Sequence, residues 1–358
     1  MLIDVSVTGD LSGAAEGASE LAATGIDGLF TFEGNSDVFF PLIHATELDV
    51  DLYTNVAIAF PRSPMHLAYS AWDLQRACGG RFALGLGTQI KPHIERRFSS
   101  QWSRPVDRMV ELITVLRAIY ANWGDGTPLD HHGEFYRVDL MTPIFVPAPL
   151  GHPTPEIWVG ALGPRMTQAM AAHADGIIIH PFNTGAFLAD KTMPMIETGL
   201  AESGRERSSL VLNVGCIAAP CLTDEQYDRA TTAIRFNLAF YGSTPAYRVV
   251  LDHHGLGDLQ PRLRDATKTG DWATLGELVD DDVVDLLAVR GTPADCAERL
   301  TEEYGNHADR MSLTVSTPAS TSTSSSAGEA LAAMVQAMRA LQEAEPGTQA
   351  DQPPAQSS

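Results

Sequence analysis

Residues 52–87 read LYTNVAIAFPRSPMHLAYSAWDLQRACGGRFALGLG. The apolar, partly β-branched run from Leu52 to Phe60 predicts a strand. Met65 to Ala77 follows with helical character, and Gly79-Gly80 closes it, as glycine commonly does at a helix end. Arg81 to Gly87 is a second short apolar run. Strand, helix and strand in direct succession form a βα unit, in which the helix is the crossover between two parallel strands.

The same alternation extends in both directions. Upstream, Leu2 to Val7 reads as a strand. A helix follows, with Leu11, Ala14, Ala15, Ala18 and Leu21 near helical spacing, and Gly25 ends it. Asp27 to Phe32 is the second strand, and residues 39–48 look helical. Downstream, residues 105–121 carry a helical stripe of Met109, Leu112, Ile113, Leu116 and Ile119. Residues 122–155 are rich in Gly, Pro and His and read as an irregular insertion, with a short strand at Phe135 to Val138. Regularity returns with a strand at Glu156 to Gly160, a helix from Pro164, a strand at Gly176 to His180 and a helix over about 185–203. Leu210 to Ala219 is the seventh strand. Residues 223–304 are mostly helical and too long for one crossover, with an insertion at about 243–290. Arg310 to Val315 is the eighth strand. Residues 316–327 form a polar low-complexity linker. Residues 328–343 are a helix with Leu331, Met334, Val335, Met338 and Leu341 on one face, and 345–358 have the composition of a disordered tail.

Eight strands, each followed by helix, predict one TIM-type (β/α)8 barrel with insertions over residues 1–344. A doubly wound open sheet is the competitor, weakened because no G-x-G-x-x-G follows the first strand.

Composition excludes some partners. The chain has 358 residues, 45 acidic and 24 basic, for a formal net charge of -21. Such a surface repels nucleic acid and anionic membrane. Apolar runs are too short for a membrane span. The start, MLIDVSVTGDLSG, has an early acid and no basic region, so no signal peptide is expected and a cytoplasmic enzyme acting on a small molecule is the default. Cys78, Cys216, Cys221 and Cys296 form no C-x-x-C pair. The pairs His131-His132 and His253-His254 lack an acidic partner at ligand spacing, so no metal is expected.

In a (β/α)8 barrel, ligands bind at the C-terminal ends of the strands. That selects Phe32–Asp37, Ala57–Ser63, Gly87–Arg97, Gly160–Met166 and His180–Asn183. In Val159-Gly-Ala-Leu-Gly-Pro-Arg-Met166, a strand ends, two glycines allow close backbone approach, and proline opens a helix. Free N–H groups at such a helix start suit a phosphate, and Arg165 adds charge. An ordinary tight turn is the other reading. Gly85-Leu-Gly-Thr88 lets a flat ring approach and offers a hydroxyl, although glycines also fill crowded barrel interiors. Glu33 could accept from a ring N–H or act as a base, or be a solvated loop acid.

The segment from Arg62-Ser-Pro through Asp73-Leu-Gln-Arg-Ala-Cys-Gly-Gly-Arg-Phe-Ala-Leu-Gly-Leu-Gly87 resembles the D-x-L-S-G-G-R-x-x-L-G-x-G signature of the bacterial luciferase-like family. Val159-Gly-Ala-Leu-Gly-Pro-Arg-Met, His173-Ala-Asp-Gly-Ile, Arg290-Gly-Thr-Pro-Ala-Asp-Cys-Ala-Glu-Arg-Leu and Ala308-Asp-Arg-Met-Ser-Leu match in the family's order. The nearest branch uses coenzyme F420, a deazaflavin that carries hydride. The resemblance implies a bulge in the third strand, with a non-prolyl cis peptide backing the cofactor ring. Counting back from Pro61 puts it near Ala57–Ile58, with Ala59 beside it. It also implies that Thr88 lies against the cofactor, that Gly160, Ala161, Leu162, Gly163, Pro164, Arg165 and Met166 hold its phosphate, and that Glu33 contacts its head.

The sequence departs from the family at one place. Several relatives have an Asp-His pair after the second strand, the His serving as acid or base, where this chain has Glu33-Gly34. The position of a catalytic Glu in a sugar-phosphate dehydrogenase branch falls near Ile90. Replacement groups are His93 and His180, both expected in the substrate pocket, with Asp37 and Glu95 as lesser candidates. Arg96 and Arg97 could bind an anion or form surface pairs. Aromatic residues around 98–102 are expected to pack in the core rather than wall a pocket. The resemblance implies an oxidoreductase passing hydride between F420 and a small organic substrate. The alternatives are an FMN-dependent monooxygenase fed by a separate reductase, and a barrel that binds flavin without turnover. It also implies a homodimer through barrel helices.

Overall fold

The computed structural model describes residues 1–7, 11–315 and 326–344. Eight parallel strands form the barrel wall: β1 (Leu2–Ser6), β2 (Gly28–Thr31), β3 (Asp51–Thr54), β4 (Phe82–Gly87), β5 (Glu156–Gly160), β6 (Gly176–Ile179), β7 (Val211–Pro220) and β8 (Arg310–Val315). Each pairs with the next, and β8 pairs with both β7 and β1. Arg310 stands opposite Leu2 on one side and Asn213 on the other, so the sheet is closed. The open doubly wound alternative is thereby excluded.

The N-terminal end of the barrel is plugged by a buried ionic cluster. Arg310 forks onto Asp4, with Nε to Oδ2 at 2.8 Å and Nη2 to Oδ1 at 2.7 Å, and Tyr53 donates to Asp4 Oδ2 at 2.9 Å. Phe30, Tyr53 and Trp158 pack in series around it. Burial raises the Asp4 carboxyl pKa against the opposing effect of Arg310. This end is therefore packed with protein, and ligand chemistry is left to the other end.

The third strand is broken by a non-prolyl cis peptide, as the resemblance implied, but earlier in the chain than expected. Pairing with β2 stops at Thr54, the peptide Asn55–Val56 is cis, and Ala57–Ile58 then pairs with Leu86 and Gly87 of β4. The cis bond thus lies two residues before the predicted Ala57–Ile58, because those two residues have already returned to the ladder. The glycines opposite make room for the break. A Cβ on Gly85 would stand 1.8 Å from the Thr54 carbonyl oxygen, and one on Gly87 would stand 2.3 Å from a Val56 methyl.

The helices labelled here are α1 (Ala14–Ala22), α2 (Pro64–Ala77), α3 (Pro105–Asp125), α4 (Pro164–His173), α5 (Met193–Ser203), α6 (Asp224–Gly242), α7 (Arg248–His253), α8 (Pro293–Tyr304) and α9 (Ser326–Ala344), with further helices between them, among them Leu259–Thr269 and Asp281–Leu287. Of the predicted helix 39–48 only Phe40–Ile43 is helical. The predicted helix 185–203 is split: a wide π-turn, Leu188–Thr192, precedes α5. Pro194 has no N–H to give back to the preceding turn, which loosens the helix there. Between α8 and α6, a short strand at Val289–Gly291, which the sequence did not reveal, pairs with the end of β7.

The insertion lies over α2 and α3. Its hairpin, His131–His132 against Arg137–Val138, overlaps the predicted strand at 135–138 only in part. Glu111 of α3 accepts backbone N–H groups from Glu134, Phe135 and Tyr136, and Trp72 donates to the Ala148 carbonyl at 3.0 Å. Residues 223–288 build a second apolar core, including Ile234, Leu238, Val250, Leu251, Leu263 and Val284, which meets the barrel at Phe182 and Ile217. All four cysteines are buried thiols. The linker reading at 316–325 and the tail at 345–358 lie outside the described residues.

Candidate functional site

Two groups of residues rim the C-terminal mouth of the barrel. The first surrounds the break in β3. Glu33, its side chain 8% exposed, accepts the Ile58 N–H at 2.7 Å and Arg62 Nη1 at 2.6 Å, both on Oε2. The same Arg62 nitrogen donates to the Ile58 carbonyl at 2.9 Å. Glu33 and Arg62 together therefore clamp the segment that follows the cis bond. Val56 is half-buried at the mouth, with a methyl 3.5 Å from where a Cβ on Gly160 would stand. It lies between Gly87 and Gly160, two strand ends without side chains. Thr88 is half-buried and its hydroxyl donates to the Gln89 carbonyl at 3.1 Å.

The second group is built on β5 and β6. Gly163 adopts φ +79°, with open space where a Cβ would project. Such a φ favours glycine. Pro164 then opens α4, and no side chain caps the helix. The first-turn N–H groups are left for a ligand or water. A cavity of about 450 Å³ begins here, bordered by Leu162, Gly163, Thr167, His180, the π-turn residues Lys191 and Thr192, and Val249 to His253 of α7 apart from Leu251.

His180 is enclosed by aromatic rings, stacked on Tyr247 at 4.3 Å and met edge-on by Tyr241 at 4.8 Å. Its Nδ1 accepts the Phe182 N–H at 3.0 Å, so the neutral ring carries its proton on Nε2. Burial pushes its pKa down to about 3. This imidazole is a fixed neutral group, and at neutral pH it is a poor proton carrier.

Ala161, Leu162, Gly163, Pro164 and His180 all border the cavity. Arg165 is exposed and Met166 joins the main core, and neither borders the cavity. On the first turn of a helix only some side chains can face one side, and Thr167 takes that place. Glu33, Ala57, Ile58, Ala59 and Thr88 belong to the rim group around β3 and β4. His93 is exposed on the short helix Lys91–Arg96 and does not border the cavity. Arg97 ties two loops by donating to the Gly34 carbonyl at 2.8 Å. Trp102 packs edge-on against Phe60, and Arg108 lies 4.5 Å over the same ring, so this aromatic cluster is packing. His253 and His254 are occupied separately, the first 3.5 Å from Asp190 and the second bonded to Thr184 at 2.9 Å.

Sequence reasoning missed Thr167 and the far wall of the cavity. Lys191, Thr192 and α7 carry no local motif, and only the fold brings them to β5 and β6. The residue after Phe182, Asn183, also borders the cavity. It is 3% exposed, and neither its Nδ2 nor its Oδ1 has a hydrogen-bond partner.

The model of the family described as luciferase-like monooxygenase matches residues 4–310. An uncharacterized protein of Mycobacterium tuberculosis is 42% identical over 311 residues, covering 86% of this chain and 92% of that protein. The 5,10-methylenetetrahydromethanopterin reductase of Archaeoglobus fulgidus is 30% identical over 248 residues, 67% of this chain and 69% of the reductase. Among solved structures, the coenzyme F420 dependent tetrahydromethanopterin reductase from Methanopyrus kandleri superposes with a TM-score of 0.74 at 18% identity, over 95% of this chain and 98% of that one. An FMN complex of a Baeyer-Villiger monooxygenase from Pseudomonas putida shares the fold, with a TM-score of 0.65 at 16% identity over 92% of each chain.

Proposed function

Because this chain belongs to the luciferase-like monooxygenase family, and F420-dependent reductases stand among its relatives, we propose that it is an oxidoreductase that exchanges a hydride between coenzyme F420 and a small organic substrate. The observation that carries the reading is the uncapped start of α4, opening at Gly163 onto the cavity beside a barrel mouth floored by Gly87, Val56 and Gly160.

The residues present fit such a cofactor. A phosphate needs several convergent N–H donors and little steric bulk; the Ala161 N–H is already given to the Ile178 carbonyl, and the N–H groups of Leu162, Gly163 and the first turn of α4, with the Thr167 hydroxyl, supply both. A flat ring needs a smooth apolar backing without side chains above it. Val56, Gly160 and Thr88, each half-buried, offer that surface, with Ala57, Ile58 and Ala59 buried behind it. When bound, the deazaflavin supplies the carbon that gives or takes the hydride. The chain's own contribution is positioning. Glu33 and Arg62 hold the backing segment in place by three hydrogen bonds. His180 remains uncharged, so it offers the bound molecules a donor that does not switch with pH. The cap formed by residues 223–288 covers the cavity and limits access of water.

Equilibrium titration of the purified protein with F420 and with FMN, followed by fluorescence, tests the reading. Tight and selective F420 binding supports it. Selective FMN binding would replace it with an oxygen-using monooxygenase, and binding of neither would sink the cofactor assignment.

A further inference from the structure

We propose that the cavity contains a carboxylate-binding subsite formed by Lys191 and Thr192, carried by the π-turn rather than by the start of α4. Calling the bearer of that carboxylate a substrate or the cofactor rests on the reading above. The subsite itself stands on the two side chains.

Thr192 is 7% exposed and borders the cavity. A threonine on a helix commonly bonds the carbonyl four residues back. Thr114, Thr198, Thr232 and Thr267 all do so, at 2.8–3.0 Å. Thr192 does not. In the π-turn the Leu188 carbonyl, its target, accepts the Met193 N–H instead. Among the described residues the Thr192 hydroxyl has no partner, and it is not one of the polar atoms sealed away without one. Its oxygen is therefore reachable, and the residue's open side is the cavity. A nearly buried hydroxyl left unbonded at a cavity wall is available to a ligand or to water. Single π-turns inside helices often mark such places.

Lys191 borders the same cavity and is exposed. Among the described residues its ammonium has no carboxylate partner. The acids beside it are engaged elsewhere: Asp190 lies 3.5 Å from His253, and Asp252 lies 3.3 Å from Arg248. In a chain with 45 acids to 24 bases, a cation left without one at a cavity wall is free for a ligand anion. An ammonium with one hydroxyl beside it matches a carboxylate, whose two oxygens each accept a bond. A phosphoryl group, with more acceptor oxygens, is better served by the start of α4. The nearby wall of Ile179, Phe182, Phe187 and Val250 is apolar. The carboxylate therefore belongs either to a substrate with an apolar body, or to the glutamyl tail that F420 carries beyond its phosphate and FMN lacks.

The test uses shape-matched probes on the full chain. Benzoate carries the carboxylate, and benzamide has the same shape without the charge. Ligand-observed NMR titration is expected to give benzoate roughly tenfold tighter binding than benzamide, the worth of one or two charge-assisted hydrogen bonds. In Lys191→Met the preference should fall to within about twofold, and in Thr192→Val by about threefold. Lys268→Met removes the same charge from an exposed helix position and should leave the preference unchanged. Thr192→Val should melt no lower than the wild type, because the hydroxyl it removes bonds nothing in the protein. Equal binding of the probes to wild type, absence of binding, a preference that survives Lys191→Met, or an equal loss in Lys268→Met overturns the proposal. A lower melting temperature of Thr192→Val overturns the part of Thr192. Repeating the titration with saturating F420 separates the sources: displacement of benzoate assigns the subsite to the cofactor tail, and retained binding assigns it to a substrate. F420 binding with no Lys191-dependent preference rejects the subsite alone. Such a preference without F420 binding rejects the cofactor reading alone.

Discussion

His180 owes its character to what surrounds it. Free histidine titrates near 6.5, whereas this one is pushed down to about 3 by burial. Between those two values the unfolded chain binds a proton that the folded chain refuses. Stability must therefore rise with pH through that window and level off above it. His180→Phe should lower the slope of unfolding free energy between pH 4.5 and 6.5 by up to about 1.4 kcal/mol per pH unit. Urea melts at several pH values measure this, and an unchanged slope would mean that the imidazole is solvated in the native state. Glycines 85 and 124 make a second contrast at this scale. A Cβ on Gly85 would stand 1.8 Å from the Thr54 oxygen, backbone against backbone, whereas at Gly124 in α3 nothing lies within 4 Å. Gly85→Ala should cost about 3 kcal/mol, and Gly124→Ala should gain about 1 kcal/mol from helix propensity. Paired denaturant melts would show both, and similar effects at the two sites would refute the tight seating of β3 on β4.

At the scale of elements, the insertion hangs on one carboxylate. Glu111 reaches from α3 to backbone N–H groups of Glu134, Phe135 and Tyr136 and approaches His131 at 3.4 Å. Burial raises its pKa, and the backbone and His131 bonds outweigh that and lower it overall. The stabilisation is thus present above the carboxyl's unfolded pKa and is lost as pH falls through the lowered folded value. Glu111→Ala should cost about 1–3 kcal/mol. Amide exchange at residues 134–136 should speed up at least tenfold, while β1 to β8 stay protected. Exchange unchanged at those amides would mean the hairpin holds itself. The elements also mark what sequence could reveal. All eight barrel strands were legible, because short apolar runs closed by glycine and alternating with striped helices have few other folds. The α4 turn was legible because glycine and proline carry their backbone preferences with them. The place of the cis bond was off by two residues, since the apolar run from Leu52 to Phe60 does not betray where pairing lapses. The walls at Lys191 and at α7 were illegible. They are apolar or charged residues on ordinary helices, and their role depends on which strand ends they cover.

For the whole molecule, the decisive fact is that two apolar cores meet at the cavity. The barrel core runs through β1 to β8 and the helices packed outside them. The second core, within residues 223–288, touches it chiefly through Phe182, Phe187, Ile217 and Ala219. A unit with its own core and a narrow joint can open without unfolding its neighbour. The cavity lies at that joint, with α4 and the ends of β5 and β6 on one side and α7 on the other. A ligand that touches both sides stabilises the closed joint in proportion to its saturation. Hydrogen exchange of the free protein should therefore show α7 and the 188–192 turn opening at lower free energy than the barrel strands. Saturating F420 should slow exchange in those segments by tenfold or more and leave the strands nearly unchanged. Uniform protection of cap and barrel in the free protein would mean that they form one cooperative unit, and the entry of ligand would then need another route than the opening of this joint.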